Sequence, residues 1–139
     1  ISRGDAEVLA HITASRYRLD LDPVARSLMP RALDEFYANH GFKVNDVQPD
    51  SLQALIAFMA RLASDEVRML ELGEANQVLQ LRKTQLKTIT THIKPIVEHA
   101  ARETGLRSLE ALLEFLKNDK DLLKSLITKQ LEAHKPKYA

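Results

Sequence analysis

An apolar residue stands at every seventh position between residues 72 and 100, and this spacing constrains the fold more than any other feature of the chain. A sustained seven-residue repeat is typical of one long helix with an apolar face, as in coiled coils. Such a face must be covered, either by other helices of the same chain or by a second polypeptide. The sequence therefore predicts one long central helix. The repeated positions are Leu72, Leu79, Leu86, Ile93 and Ala100.

The opposite side of this predicted helix is basic. Residues 75–97 contain no Asp or Glu and carry four cations, Arg82, Lys83, Lys87 and Lys94. Charge is also uneven over the whole chain: residues 1–74 hold 8 Lys and Arg against 12 Asp and Glu, whereas residues 75–139 hold 12 against 7. This separation permits docking of the second half on an acidic partner, and it also permits the two halves to pack together.

Length and composition limit the class of protein. The 139 residues suffice for one domain with its own core. The absence of cysteine excludes a disulfide scaffold, a thiolate metal site and a cysteine nucleophile, and it fits a cytoplasmic location. Since no apolar run approaches the roughly 20 residues that cross a bilayer, we expect no membrane partner. The chain opens on Ile1 rather than methionine, so we expect it to be part of a longer protein.

Proline, glycine and capping residues divide the chain into about six or seven helices. Asp22 precedes a proline and is a typical N-cap, and Pro30 predicts a kink or two short helices meeting beside it. Asp50 is expected to cap the helix that follows it. Pro95 predicts a helix break because it lacks an N–H group and restricts the residue before it. Gly105 predicts a helix end in the left-handed conformation.

No stretch shows convincing period-two alternation, so strands are not expected. We predict an all-α, irregular helical bundle built around the long central helix. We expect a single domain over residues 1–139, with a division near residue 105 as the alternative. Residues 106–139 then form a C-terminal helical hairpin, with its junction at Asn118–Asp119.

Patterns that carry catalytic or metal chemistry are missing. His99 and Glu103 lie four residues apart on one helical face, with His92 seven residues earlier, but zinc needs at least three convergent ligands and no His-Glu-x-x-His pattern occurs. The isolated glycines do not form a phosphate-binding loop, and no Gly-x-Ser-x-Gly turn is present. We therefore expect a non-enzymatic protein with no metal and no cofactor.

Two segments resemble the helix-turn-helix of bacterial repressors. In residues 101–112 a small residue precedes a turn at Gly105 and a second helix follows, but that helix presents leucines rather than polar side chains suited to base edges. Residues 75–89 match the apolar positions of the motif and carry basic and polar residues between them. However, Gln80 stands where a glycine turn is expected, so a continuous helix is predicted there.

The functional expectation is a helical protein–protein interaction or assembly module that self-associates through the heptad face of residues 72–100. The partner is a second copy, giving a homodimer, or another helical protein. The predicted interface residues are Leu79, Leu86, Ile89 and Ile93. The alternative is a DNA-binding regulatory or accessory protein of plasmid or phage type, which contacts nucleic acid through the basic face of residues 82–94. The residues for this alternative are Arg82, Lys83, Lys87 and Lys94.

Overall fold

The computed structural model of the chain describes residues 3–133, and their side chains from residue 7 onward. Within this range the secondary structure is helical apart from one isolated β-bridge, so the predicted all-α irregular bundle is confirmed. None of the described helices is both long enough and apolar enough to cross a membrane. The elements are α1 (Arg3–His11), α2 (Ala14–Tyr17), α3 (Pro23–Ser27), α4 (Met29–Ala38), α5 (Leu52–Glu71), α6 (Ala75–Lys87), a π-helical segment (Thr88–Ile93), α7 (Lys94–Thr104) and α8 (Arg107–Ala133).

The predicted long central helix is present. It consists of α6, the π segment and α7, which we call together the long helix, residues 75–104. These segments form one continuous rod because the residues at both junctions, Thr88 and Lys94, have right-handed helical angles. The rod begins three residues later than the heptad pattern predicts. Gly73 adopts φ +72°, the chain reverses there, and Leu72 ends α5 with 65% of its surface exposed.

The π segment explains why the buried stripe of the long helix departs from the heptad positions. In α6 the buried residues are Val78 and Gln85, each one position before a predicted heptad leucine, and Leu79 is only half-buried. From the end of the π segment onward, the buried stripe includes Ile93 and Ala100, which are both predicted heptad positions. A π-helical turn accommodates one extra residue, since its hydrogen bonds join residues five apart. The stripe therefore shifts by one position within the π segment.

Pro95 does not break the long helix, so the break predicted there is wrong. In an α-helix the N–H of residue 95 would donate to the carbonyl of Thr91, and proline has no N–H to give. The guanidinium of Arg18 donates to that carbonyl instead, with Nη1 3.1 Å from the Thr91 oxygen. The preceding π turn changes the local spacing, with the N–H of Lys94 donating to the carbonyl of Ile89 five residues earlier.

Arg18 is held in place by a second contact. Its Nε and Nη2 atoms each lie 2.9 Å from an oxygen of Asp20, and Arg18 itself is buried. The paired geometry fixes the plane of the guanidinium and directs Nη1 at the long helix. The same pairing lowers the pKa of Asp20, with the hydrogen bond from Arg18 as the main cause.

The N-terminal helices pack over the upper part of the bundle, which we define as the end nearer α7. Asp22 caps α3 as predicted, and the two short helices α3 and α4 meet beside Pro30 as predicted. Asp50 does not cap α5. Its carboxylate accepts a hydrogen bond from the backbone N–H of Ser15 in α2 at 2.8 Å. The N-cap of α5 is Ser51, whose hydroxyl accepts a hydrogen bond from the N–H of Ala54 at 3.1 Å. Asp50 thus ties α2 to the beginning of α5.

The predicted C-terminal hairpin is wrong within the described residues. α8 runs unbroken from Arg107 to Ala133, straight through Asn118 and Asp119. Leucines at positions 109, 116 and 123 are buried at seven-residue spacing on both sides of this pair. Burial of that stripe against the long helix outweighs the modest helix penalty of Asn and Asp.

α5 and α8 both run antiparallel to the long helix. The turn at Gly73 folds α5 back along α6, and the left-handed turn at Gly105 folds α8 back along α7 and then α6. Each of the two helices packs on the long helix, yet α5 and α8 hardly touch each other. The long helix therefore forms the floor between two parallel walls.

The fold makes Arg18 a specific structural requirement. We expect Arg18→Met to lower the free energy of unfolding by about 2 kcal/mol, because the Thr91 carbonyl loses a charged donor while the apolar stem is kept. Urea denaturation at neutral pH measures this change. Arg16→Met is the matched control, since Arg16 is exposed and lies over the ring of Tyr17. Equal stability losses in the two variants would contradict the assigned role of Arg18.

Candidate functional site

The four residues predicted as a partner interface do not form one open surface. Ile89 and Ile93 lie in the core of the chain with 0% and 1% of their surface exposed. Leu79 and Leu86 are half-buried, and Leu86 packs against the same core. In this conformation the two isoleucines are covered by the protein's own helices, so a second chain cannot reach them.

The four predicted DNA-binding cations are also dispersed. Arg82 is largely buried, with its Nε 3.1 Å from Oε2 of Glu66. Lys94 lies 3.7 Å from a carboxylate oxygen of Glu98, and the ammonium of Lys87 is 5.6 Å from the ring centre of Phe36. Lys83 is exposed. Arg82 is therefore withdrawn from the predicted basic face, whereas Lys83 and Lys87, one turn apart on α6, both remain exposed.

The threonines beside those cations bond to their own helix. Thr84, Thr88 and Thr90 each donate from the hydroxyl to the carbonyl four residues earlier, at 2.9, 2.7 and 2.9 Å. This local bonding is common for threonine within helices. Residues 75–89 form a continuous helix, as predicted from Gln80. In the other helix-turn-helix candidate, the helix after Gly105 buries Leu109 in the core.

The histidines take separate structural positions. Nε2 of His99 lies 3.8 Å from Oδ1 of Asp20, whereas the ring of His92 packs 5.1 Å from the ring of Phe36. The pKa of His92 is lowered from 6.5 to about 4, mainly by burial and in addition by the positive charges of Arg18 and Lys87. Among the described side chains, no three His, Asp or Glu groups converge in a manner suited to a metal ion.

A groove with a mainly apolar lining lies between α5 and α8. Its upper part is a hollow of about 920 Å³, with the long helix as floor and α1 at one end. A smaller hollow of about 390 Å³ lies at the lower end, beside the turn at Gly73. We call the two hollows and the region between them the α5/α8 groove. The upper hollow is lined mainly by apolar side chains, among them Val8, Ile56, Met59, Leu112 and Phe115.

Phe115 is the clearest sign that this groove is incomplete. It lies on α8 at the wall of the upper hollow with 65% of its surface exposed. Leu122, two turns further along α8, is 56% exposed. Large apolar side chains exposed in a row beside an apolar hollow mark a binding surface more often than scattered ones do.

A polar layer separates the upper hollow from the lower one. Both carboxylate oxygens of Glu66 on α5 accept hydrogen bonds from the long helix, Oε2 from Arg82 at 3.1 Å and Oε1 from Gln85 at 2.7 Å. Nη1 of Arg82 also donates to Gln130 on α8 at 3.0 Å. The side-chain nitrogen of Gln130 donates to the carbonyl of Ala75 at 2.7 Å. The layer connects α5, α6 and α8.

Asp119 stands beside this layer on the wall of the upper hollow. Burial raises the pKa of its carboxyl, and the negative charge of Glu66 raises it further. Among the described residues no hydrogen bond or ion pair reaches the Asp119 carboxylate. The polar layer and the upper hollow therefore contain one compensated carboxylate, Glu66, and one, Asp119, that the described chain leaves uncompensated.

The sequence contains a signal for this groove. Between positions 109 and 116, α8 carries apolar residues around more than half of its circumference, which is a wider face than packing on one helix requires. A second apolar surface on the same helix follows from that pattern. No protein family model matches the chain.

The buried position of His92 predicts a dependence of stability on pH. The pKa of this ring is 6.5 in the unfolded chain and about 4 in the folded chain, so the unfolded chain binds the proton at the higher pH. Stability is therefore fully present above pH 6.5 and falls by about 3 kcal/mol as the pH drops to about 4. Urea denaturation of the wild type and His92→Leu at about pH 7.5 and about pH 4.5, which span most of this interval, measures the difference. A variant with the same pH dependence as the wild type would contradict this cause.

The buried pair of Arg82 and Glu66 should cost more stability to break than the more exposed pair of Arg61 and Asp65. We expect Arg82→Leu to destabilise the protein by about 3 kcal/mol, because Glu66 is then buried without its charged partner. The double variant Arg82→Leu, Glu66→Leu should recover most of that loss. Arg61→Leu is the control, since its pair with Asp65 is more exposed and costs below about 1 kcal/mol to remove. Chemical denaturation measures all three, and additive losses in the double variant would exclude the coupling.

Proposed function

We propose that this protein is a non-enzymatic interaction module that binds an amphipathic helix of a partner protein in the α5/α8 groove. The supporting observation is that two parallel helices pack on one long helix and leave an apolar channel between them. Three sides of a four-helix arrangement are present. A fourth helix would cover the exposed apolar side chains at the open side.

The dimensions of the groove suit a helix. The wall on α5 extends from Ile56 in the upper hollow to Leu70 in the lower one, a rise of about 21 Å at 1.5 Å per residue. A helix of about 14 residues has that length, so one of about 16 residues spans the groove. Small residues on this wall, Ala60 and Ala63, leave room for the side chains of an incoming helix.

This proposal moves the interaction surface away from the predicted heptad face. Association through Leu79, Leu86, Ile89 and Ile93 would require the core around the two isoleucines to open. Binding in the α5/α8 groove requires no such opening, because Phe115 and Leu122 are already exposed. The DNA-binding alternative gains no support from the placement of Arg82 and the three lysines.

A synthetic helix tests the proposal. The probe is a dye-labelled peptide of about 16 residues with leucine at the heptad core positions, glutamine at the central core position, and alanine and glutamine elsewhere. We expect it to bind the full chain with a dissociation constant in the micromolar range, about −8 kcal/mol. Fluorescence anisotropy measures the binding, and a scrambled peptide of the same composition should bind at least about tenfold more weakly.

Two variants locate the binding site. Phe115→Ala should weaken peptide binding about tenfold or more, since a large exposed aromatic side chain is a typical anchor residue. Leu28→Ala is the matched control because Leu28 is a similarly exposed apolar residue outside the groove, and its binding should equal that of the wild type. Equal binding of the ordered and scrambled peptides, or equal binding by Phe115→Ala, would exclude the groove as the site. Light scattering on the protein alone reports whether a second copy occupies the groove.

A further inference from the structure

The charges at the polar layer and the upper hollow are not balanced by the described contacts. Glu66 and Arg82 form an internal pair, and the amide of Gln85 occupies the remaining oxygen of Glu66. This pair is neutral and its hydrogen bonds are made within the protein. Asp119 adds one negative charge to the same region.

Asp119 occupies a position where a nearby cation would stabilise its carboxylate. It lies on α8 one turn after Phe115 and one turn before Leu122, in a row of exposed apolar side chains. Its carboxyl is partly buried at the wall of the upper hollow, where burial and Glu66 both disfavour the charged form. A partly buried carboxylate is stabilised most by a cation that bonds to it directly.

The lysines nearest in sequence do not supply that cation. Lys117 and Lys120 lie two positions before and one position after Asp119 on the same helix. Residues at these spacings do not face each other on a helix. Neither lysine comes within ion-pair distance of Asp119 among the described contacts.

We propose that the partner helix carries one arginine or lysine at the centre of its apolar face and that this cation pairs with Asp119. This inference rests on the proposed function, because it requires a helix in the groove. The apolar residues of the partner then lie about one turn on each side of the cation, against Phe115 and Leu122.

The same charge argument selects a different protein over a second copy. In a symmetric pair of α8 helices centred on this region, Asp119 of one protomer meets Asp119 of the other. Two carboxylates that face each other repel, and a partly buried setting strengthens the repulsion. A partner with a basic residue at this level avoids that conflict.

A double-mutant cycle tests the pairing. Two peptides of the design above differ only at the central core position, which is arginine in one and glutamine in the other. We expect the arginine peptide to bind the wild-type full chain about tenfold more tightly than the glutamine peptide at low salt. With Asp119→Asn the two dissociation constants should become equal within about twofold. Anisotropy titrations measure all four values.

Asp121→Asn is the matched control. It removes the same charge from an exposed position on the same helix, and the preference for arginine should remain at about tenfold. A preference that persists in Asp119→Asn, or that disappears equally in Asp121→Asn, would overturn the proposed pairing and indicate only a general electrostatic attraction.

The outcomes separate the two proposals. If both peptides bind the wild type equally and both are weakened by Phe115→Ala, the groove binds helices and the cation inference is wrong. If neither peptide binds better than a scrambled peptide, the proposed function itself fails, and this inference fails with it.

Discussion

The hydrogen bond from Arg18 to the Thr91 carbonyl is the contact on which the architecture depends. Pro95 removes the donor that this carbonyl would have in an α-helix, and a helix with such a gap tends to end or kink. A donor from the N-terminal part of the chain and a wider π turn together keep the long helix continuous. Because the helix continues, it serves as a common floor for α5 and α8. A break at Pro95 would change the direction of α7, on which the first part of α8 packs, and would thereby displace one wall of the groove.

The π segment also marks the limit of what the heptad pattern could predict. The uninterrupted repeat from Leu79 to Ile93 correctly predicts a long helix, since helix length follows from periodicity alone. It does not predict which face is buried, because a single π turn shifts the stripe by one position and leaves Leu79 half-buried while Val78 is buried. A proline is the only local sign of such a turn. The residue that completes it, Arg18, lies 73 positions away in sequence.

The candidate site was less predictable than the fold for a related reason. The absence of acidic residues within 75–97 suggested a basic surface, but spatial neighbours decide charge, and Glu66 lies 16 positions before Arg82 on the opposing helix. Conversely, the apolar residues of α8 were visible in the sequence, while their division between core and surface was not. Leu116 is buried and its neighbour Phe115 is exposed, a distinction that depends on which side of α8 faces the long helix.

The polar layer gives the groove a means of discrimination that apolar contacts alone lack. An entirely apolar channel would accept any amphipathic helix in several registers, because leucine faces differ little from one another. Glu66, Arg82, Gln85 and Gln130 satisfy one another, so they fix the relative positions of three helices without requiring a ligand. Asp119 lies beside this layer, and among the described residues its carboxylate has no hydrogen-bond or ion-pair partner. A buried polar group is known to set register and partner choice in helical assemblies, at some cost in stability. In the proposed complex, a cation of the partner helix beside Asp119 would offset the cost of holding that carboxylate partly buried without a counter-charge.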